Sequence, residues 1–253
     1  MGLEKIIMEE VKGRKRRGVE MAVFISDVHI PYHDRKALTV TNKFLDLYQP
    51  EKIILGGDIM DMYNVSRFDK NPMRSFDLQW EFDEAKKVVE DIRKRNPKAR
   101  IIMLPGNHED RLQKYLWKNP EICGMRALGV PYQLGLKEMG IEWKKEFTHK
   151  GVLFTHGDFA TKYTANKNLE VHGMNGVSGH KHTQQTIVRT NRHGKSTWLS
   201  VGHLADVSKA EYVNNPDWQQ GFGAVYWKGR DVSLEHVNID KGRILYAGRE
   251  FKC

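Results

Sequence analysis

Three short apolar runs constrain this chain more than any other feature of its sequence. They are Met21–Asp27 (MAVFISD), Glu51–Asp58 (EKIILGGD) and Ala99–Asn107 (ARIIMLPGN). Each is continuous rather than alternating and closes on glycine or polar residues, as in a strand buried on both faces. Two segments with helical spacing, Asp34–Tyr48 and Ser75–Asn96, separate them, and a third, His108–Asn119, follows. Asp34 stands where an N-cap belongs. Strands alternating with helices imply βαβ units and a mainly parallel sheet.

Downstream the pattern changes. Gly151–Asp158 (GVLFTHGD) reads as another buried strand, followed by a helical stretch and then Val177–Gln185 (VSGHKHTQQ). Gln185–Gly202 and Gly223–Val237 carry turn residues at Asn191–Gly194 and Lys228–Asp231, so both read as hairpins of a second, more antiparallel sheet. The expected fold is α/β, with two sheets packed together and helices outside. No linker, repeat or low-complexity segment divides it. The 253 residues suit one large domain over residues 21–253, after a basic N-terminal tail at residues 1–20 that is expected to be mobile.

Composition excludes several classes. Apolar residues make up 40% and charged residues 29%, as in a soluble globular protein. No apolar run approaches the roughly 20 residues of a membrane span. The first residues lack a secretory h-region, and Ile6 stands where a myristoylation signal needs Ser or Thr. Two cysteines, Cys123 and Cys253, form no disulfide framework, which points to a reducing, cytoplasmic setting. The net charge of +9, concentrated partly in Lys12–Gly18 (KGRKRRG), favours phosphate-bearing partners and leaves nucleic acid open as one.

Chemistry sits at the strand ends. The first run continues to Asp27 and His29, the second to Asp58 and Asp61, the third to Asn107, His108 and Glu109, and the fourth reaches His156. His180 and His182 flank Lys181, and alternation along an extended segment would turn both rings to one side. A lone strand-end Asp is usually a cap, and a lone His is usually a surface or core residue. Together they are different, because carboxyl ends of strands in open α/β sheets converge on one rim. Arg67 and Arg111 follow site motifs and could meet phosphate oxygens, or equally form surface ion pairs. His33 and His203 are further rim candidates, and Trp218 in Asn214–Phe222 (NPDWQQGF) is a candidate for stacking on a base or for anchoring a loop.

The ordered series Asp-x-His, Gly-Asp-x-x-Asp, Gly-Asn-His-Glu, His and Gly-His-x-His resembles that of the calcineurin-like metallophosphoesterases, in the small stand-alone form of bacteria and phages. The resemblance implies a four-layer αββα sandwich of two mixed β-sheets flanked by helices. It assigns Asp27, His29 and His182 to one metal, Asn107, His156 and His180 to a second, and Asp58 to both. It makes His108 the general acid and Asp61 the carboxylate orienting it, with a hydroxide bridging the metals as nucleophile. Two divalent transition-metal ions are implied, manganese first, with iron, zinc, nickel or cobalt as the other choices for imidazole and carboxylate ligands. The implied reaction is phosphate-ester hydrolysis by a phosphodiesterase or phosphatase on small or nucleotide-derived substrates. A DNA or RNA nuclease is the alternative, and an inactive scaffold of the same fold is a third reading. Met62 and Tyr63 replace the Arg-Gly of the protein Ser/Thr phosphatases and diadenosine tetraphosphatases, which counts against both classes. Only about 70 residues follow His182, fewer than the added segments of the repair nucleases require.

Overall fold

The structure is a computed structural model that describes residues 18–71, 77–192, 194–209 and 216–253. Lys12–Arg17, Ser75, Phe76, His193 and Asn214 lie outside the described residues. The strands are β1 (Val19–Ile25), β2 (Lys52–Leu55), β3 (Arg100–Met103), β4 (Glu142–Trp143), β5 (Phe147–His149), β6 (Val152–Phe154) and β7 (Asn175–Ser178). They continue with β8 (Gln185–Asn191), β9 (Gly194–Ser200), β10 (Gly221–Lys228), β11 (Asp231–Asn238), β12 (Arg243–Tyr246) and β13 (Arg249–Lys252). The longer helices are α1 (Arg35–Tyr48), α2 (Leu78–Arg95), α3 (Glu109–Trp117) and α4 (Thr164–His172).

One sheet has the order β11-β10-β1-β2-β3-β4 and the other β5-β6-β7-β9-β8. Both are mixed. In the first, β1, β2, β3 and β4 run parallel, β10 runs antiparallel to β1, and β11 antiparallel to β10. In the second, β6, β7 and β9 are parallel and the two outer pairs antiparallel.

Side-chain alternation along the strands builds the layers. Met21, Val23 and Ile25 of β1 pack with Val40 and Phe44 of α1 and Phe82 and Val89 of α2. Ala22 and Phe24, from the same strand, face the other way and meet Phe154, Val177 and Leu199 of the second sheet. On the far side of that sheet, Leu153 and Trp198 pack against Ala165 and Leu169 of α4. Three apolar cores between helix, sheet, sheet and helix make the four-layer αββα sandwich.

The hairpin at Gly223–Val237 does not join the second sheet as its sequence position implies. Its first strand, β10, pairs with β1 and extends the first sheet. Six of the eight β10 residues from Gly221 onward are buried, so this strand belongs between two layers and not at an outer edge. A further hairpin, β12 and β13, closes over α1, where Phe44 meets the rings of Tyr246 and Phe251 at 5.4 and 5.7 Å. Helix α1 has the expected cap, with Asp34 accepting from the N–H groups of Lys36 and Ala37. Helix α2 starts at Leu78 behind an Asp77 cap on Trp80, later than the spacing from Ser75 suggests. No helix among the described residues is long and apolar enough to cross a membrane.

Strand β1 begins at Val19, two residues before the expected boundary at Met21. Glu20 holds it there. Its carboxylate pairs with Lys52, with His149 Nε2 at 2.9 Å and with Lys150. Burial favours the neutral acid, but hydrogen bonds from Lys150 and Lys52 outweigh it and hold the carboxyl down to about 2. Lys52 is buried at 8% exposure, so Glu20→Ala strands its ammonium. The expected loss is about 1–3 kcal/mol in urea unfolding, partly restored in Glu20→Ala/Lys52→Met. An unchanged urea midpoint in Glu20→Ala would show that water satisfies Lys52 equally well.

Candidate metal centre

The site lies where the β1, β2 and β3 ends of the first sheet meet the β6 and β7 ends of the second. Its backbone is unusual. Asp27, His29, Asp58, His180 and His182 all have positive φ, between 49° and 73°. Non-glycine residues rarely adopt this conformation, and it clusters at functional sites. It also corrects the extended reading of Gly-His-Lys-His. Strand β7 ends at Ser178, and the two histidines occupy a left-handed turn that sends their rings to different partners.

His182 faces the first group. Its Nε2 lies 3.1 Å from Asp27 Oδ1 and 3.1 Å from His29 Nε2. His29 turns its other nitrogen, Nδ1, to Asp61 Oδ2 at 3.2 Å. A carboxylate only accepts, so Nδ1 carries the proton and Nε2 is a bare lone pair in the neutral ring. His180 faces the second group, formed with Asp58 and His156. His156 donates from Nδ1 to the Gly56 carbonyl at 2.9 Å. Its Nε2 lone pair therefore faces Asn107 Oδ1 at 3.1 Å and Asp58 Oδ2 at 3.3 Å, both acceptors. His180 Nδ1 is buried without a partner.

Lone pairs thus face lone pairs around His156, and at the neighbouring point the bare Nε2 of His29 and the Asp27 carboxylate converge on His182 Nε2. Such packing is repulsive unless a cation or a proton stands between them. Proton affinities register the demand. Burial lowers that of His156, but the Asp58 carboxylate beside it, aided by Asp27 and Glu109, pushes it up to about 10. Asp58 is buried too, yet the surrounding imidazoles hold it well below the usual carboxylate range. Imidazole, carboxylate and amide oxygen without thiolate suit a divalent transition metal, so the donor set fits the ions the sequence implies.

Asp58 falls within the second group, and its charge also raises the proton affinity of His29 in the first. Its Oδ1 accepts from the His108 N–H at 2.8 Å, leaving Oδ2 as the site-facing oxygen. His108 is buried beside Asp58, with Nε2 3.7 Å from Oδ2. The Asp61 carboxylate lies 3.6 Å from His108 Nδ1 but hydrogen-bonds to His29 instead. The Asp61 backbone carbonyl is what holds His108 Nδ1, at 2.7 Å. Asp61 thus supports both imidazoles, one through each of its oxygen-bearing groups. His29, Asp61 and His108 lie close enough to resemble a third ligand group, but two of their nitrogens are committed to Asp61 as donors.

Of the weaker candidates, Arg111 reaches the site, with Nη2 at 2.7 Å from His108 Nε2 and Nη1 at 2.8 Å from the Asp61 carbonyl. Trp218 packs edge-on to His182 at 4.3 Å between ring centroids, and His203 lies 5.4 Å from the same ring. His203 is fully buried, accepts from the Ala205 N–H at Nδ1 and has its proton affinity lowered to about 3, chiefly by burial. Arg67 is exposed over the Phe68 ring and contacts no site residue among those described. His33 forms a bridge with Ala205 and is a member of neither ligand group.

Three supports escaped sequence reasoning. Glu109 is buried and accepts four backbone N–H bonds, from Asp58, Ile59, Met60 and Gly106, at 2.8–3.0 Å. It fastens the loop after β2 to the turn after β3. The sequence marked it as the last residue of Gly-Asn-His-Glu but gave it no role. Glycines set the close approaches, since a Cβ at Gly106 would fall 2.2 Å from Asp58 Oδ1 and one at Gly179 2.3 Å from Asp27 Oδ2. Glu81 of α2 is buried and accepts the Met62 N–H just behind Asp61.

Residues 22–248 match the family described as calcineurin-like phosphoesterase. The match covers most of the chain, and the chain belongs to that family. Among curated proteins it is 27% identical to the Gene 54 protein of Mycobacterium phage D29 over 248 residues, 89% of this chain and 96% of the relative. It is 26% identical to the Gene 54 protein of Mycobacterium phage L5 over 250 residues, 90% and 96% of the two chains. Among solved structures, Vacuolar Protein Sorting 29 from Cryptosporidium parvum aligns with a TM-score of 0.50 at 14% identity. That alignment covers 93% of this chain and 99% of the other, and shows a shared fold.

Glu81 yields a pH prediction. Burial raises its carboxyl from 4.5 to about 8, overcoming the Met62 hydrogen bond. The folded state therefore binds this proton more tightly than the unfolded chain, and stability falls as pH rises from about 4.5 to about 8. Glu81→Gln keeps an acceptor for Met62 and removes the titration. Urea unfolding of chelator-treated protein across this range should show a flatter pH dependence in Glu81→Gln. Parallel curves for the two proteins would mean that Glu81 stays ionised.

Proposed function

We propose that this chain is a two-metal hydrolase of phosphate esters, acting as a phosphodiesterase or phosphatase on small or nucleotide-derived substrates. The observation that carries the reading is the double convergence of buried imidazole Nε2 atoms on carboxylate and amide oxygens. Asp27, His29 and His182 would hold one ion, and Asn107, His156 and His180 the other. Asp58 would contribute to both, with Oδ2 facing the site because Oδ1 is engaged by His108 N–H. Bound there, two ions would activate the attacking water and neutralise charge on the phosphoryl oxygens. Manganese leads the choice of metal, followed by iron, zinc, nickel and cobalt.

The chain's own residues supply the rest. His108 stands over Asp58 Oδ2, close enough to serve a leaving oxygen, and the Asp61 carbonyl fixes its ring. Asp61 also orients His29 as a ligand, because a carboxylate behind an imidazole fixes its tautomer. A nucleic-acid substrate is the second reading. It is supported by the +9 charge and by half-buried Trp218 at the site edge, where a base could stack. The fold shared with a vacuolar sorting protein keeps a scaffold role in view, but the complete set of metal-facing side chains argues for catalysis. Free Cys123 and Cys253 support a cytoplasmic setting.

Protein purified without chelator should approach about two metal ions per chain by elemental analysis. Asp58→Asn should reduce occupancy of both positions and abolish activity. Full metal content and activity in Asp58→Asn would remove Asp58 from the bridge.

His108→Ala should keep its metal, since His108 is not among the proposed ligands. Aryl monoesters, aryl diesters, cyclic nucleotides and single- and double-stranded DNA form the substrate panel, compared at saturating metal. Loss on nitrophenyl esters should be modest, because nitrophenolate departs unprotonated. Loss on alkyl or nucleoside esters should reach roughly 10²–10⁴-fold. Equal loss on both ester types would mean that His108 positions phosphate and does not protonate the leaving group.

A further inference from the structure

The contacts of His108 leave its protonation state no freedom. A carbonyl can only accept, so Nδ1 donates its proton to Asp61 O at 2.7 Å. A guanidinium can only donate, so Nε2 accepts from Arg111 Nη2 at 2.7 Å. The ring is therefore a neutral imidazole whose site-facing nitrogen is already occupied. In this arrangement His108 cannot give a proton to a leaving group. Resting on the phosphoesterase reading above, that role requires Arg111 to let go.

Arg111 is built to do so. It sits three residues after His108, in the first turn of α3, so the two side chains share one helix face. Its side chain is 18% exposed, while that of His108 is 10% exposed, so the guanidinium forms the outer part of the pair. Among the described residues only Nη1 and Nη2 are used, at the Asp61 carbonyl and His108, and the Asp61 carboxylate lies too far for a hydrogen bond at 3.9 Å. Other guanidinium N–H groups remain to meet a ligand. A phosphoryl group offers two charged oxygens in place of one neutral ring nitrogen, a much stronger partner for a planar fork.

We propose that Arg111 is a phosphate-operated latch: it covers His108 Nε2 in the free protein and swings onto a phosphoryl oxygen when substrate arrives, baring that nitrogen to take up a proton from solvent, which it then gives to the leaving oxygen. Arg111 is then a substrate-binding residue and, through His108, a positioning residue. The arrangement withholds the leaving-group nitrogen until a phosphoryl group fills the site.

Inorganic phosphate is the probe, added to zinc-loaded protein while the ring nitrogens of His108 are followed by ¹⁵N NMR. In the wild type, phosphate should move the Nε2 signal as Arg111 leaves it. In Arg111→Ala that nitrogen is free from the start, so most of the change should vanish. Phosphate affinity should also fall by about 10–100-fold, with a matching rise in KM. The ratio of nitrophenyl to alkyl ester turnover should stay as in the wild type, because His108 remains able to act. Arg111→Lys should fall between, retaining charge without the fork. The latch is overturned if Arg111→Ala keeps phosphate affinity and KM, whatever its effect on stability. It is overturned equally if Arg111→Ala reproduces the leaving-group pattern of His108→Ala, since Arg111 would then only hold the ring. Should Arg111→Ala fail to fold, Arg111→Gln provides the same comparison. If no ester is hydrolysed, the phosphoesterase reading fails, while the phosphate titration still decides whether Arg111 moves.

Discussion

Imidazole nitrogens crowded against oxygen lone pairs at two neighbouring points are the constraint on which the rest of this structure depends. His29, His156 and His182 each turn an Nε2 toward an acceptor or toward one another. With neither a cation nor a proton between them these atoms repel, and burial deprives them of the water that would screen them. The protein commits extensive structure to holding them in place. Asp61 and the Gly56 carbonyl hold the outer nitrogens of His29 and His156, so neither ring can rotate away without stranding a donor. Glu109 ties together four backbone groups of the two loops that carry Asp58 and Asn107. The left-handed backbone at five of the seven proposed ligands is a further local cost, sustained by the packing around them.

The four-layer fold explains how such strain is tolerated. Three site loops leave one sheet and two leave the other, so the gap between the ligand groups is set by the inter-sheet core of Phe24, Phe154, Val177 and Leu199. Well-packed side chains resist small displacements, because an interior at crystal-like density has few neighbouring arrangements to adopt. Gly106 and Gly179 then let backbone from one loop lie against a carboxylate from another. The core thus fixes distances, and the glycines permit the last approach.

Much of this was legible in the sequence because it rests on local patterns. Continuous apolar runs identified β1, β2 and β3, and the polar residues ending them identified the rim. What escaped depends on relations between distant segments. Nothing in the Gly223–Val237 run states which sheet edge it will join; that follows from β1 having an unpaired side. The β12–β13 hairpin is short, and its anchor is the aromatic group around Phe44 in a helix some two hundred residues earlier. Left-handed turns at His180 and His182 cannot be read from residue types that normally avoid them. Asp61 was visible as a supporting carboxylate, but not the division of labour between its side chain and its carbonyl, which needs coordinates. Arg111 was one of two arginines near the motifs, and it reaches the site because it lies in the first turn of α3, three residues after His108, whereas exposed Arg67 lies outside any helix.

Charge balance connects the ligand set to the kind of substrate. Asp27 and Asp58 are the only charged members of the proposed set, since Asn107 and four neutral imidazoles complete it. Two divalent ions would exceed those carboxylates by about two positive charges. Asp61 does not reduce the surplus much, because Arg111 stands beside it. A buried surplus of that size disfavours neutral ligands and favours an anion that brings its oxygens to both metals at once. Phosphate esters meet that demand, and a dianionic terminal phosphate meets it more fully than a singly charged diester. The arginine that covers His108 adds to the same field from the outer side, so the group that draws phosphate in is also the group whose departure makes the imidazole available.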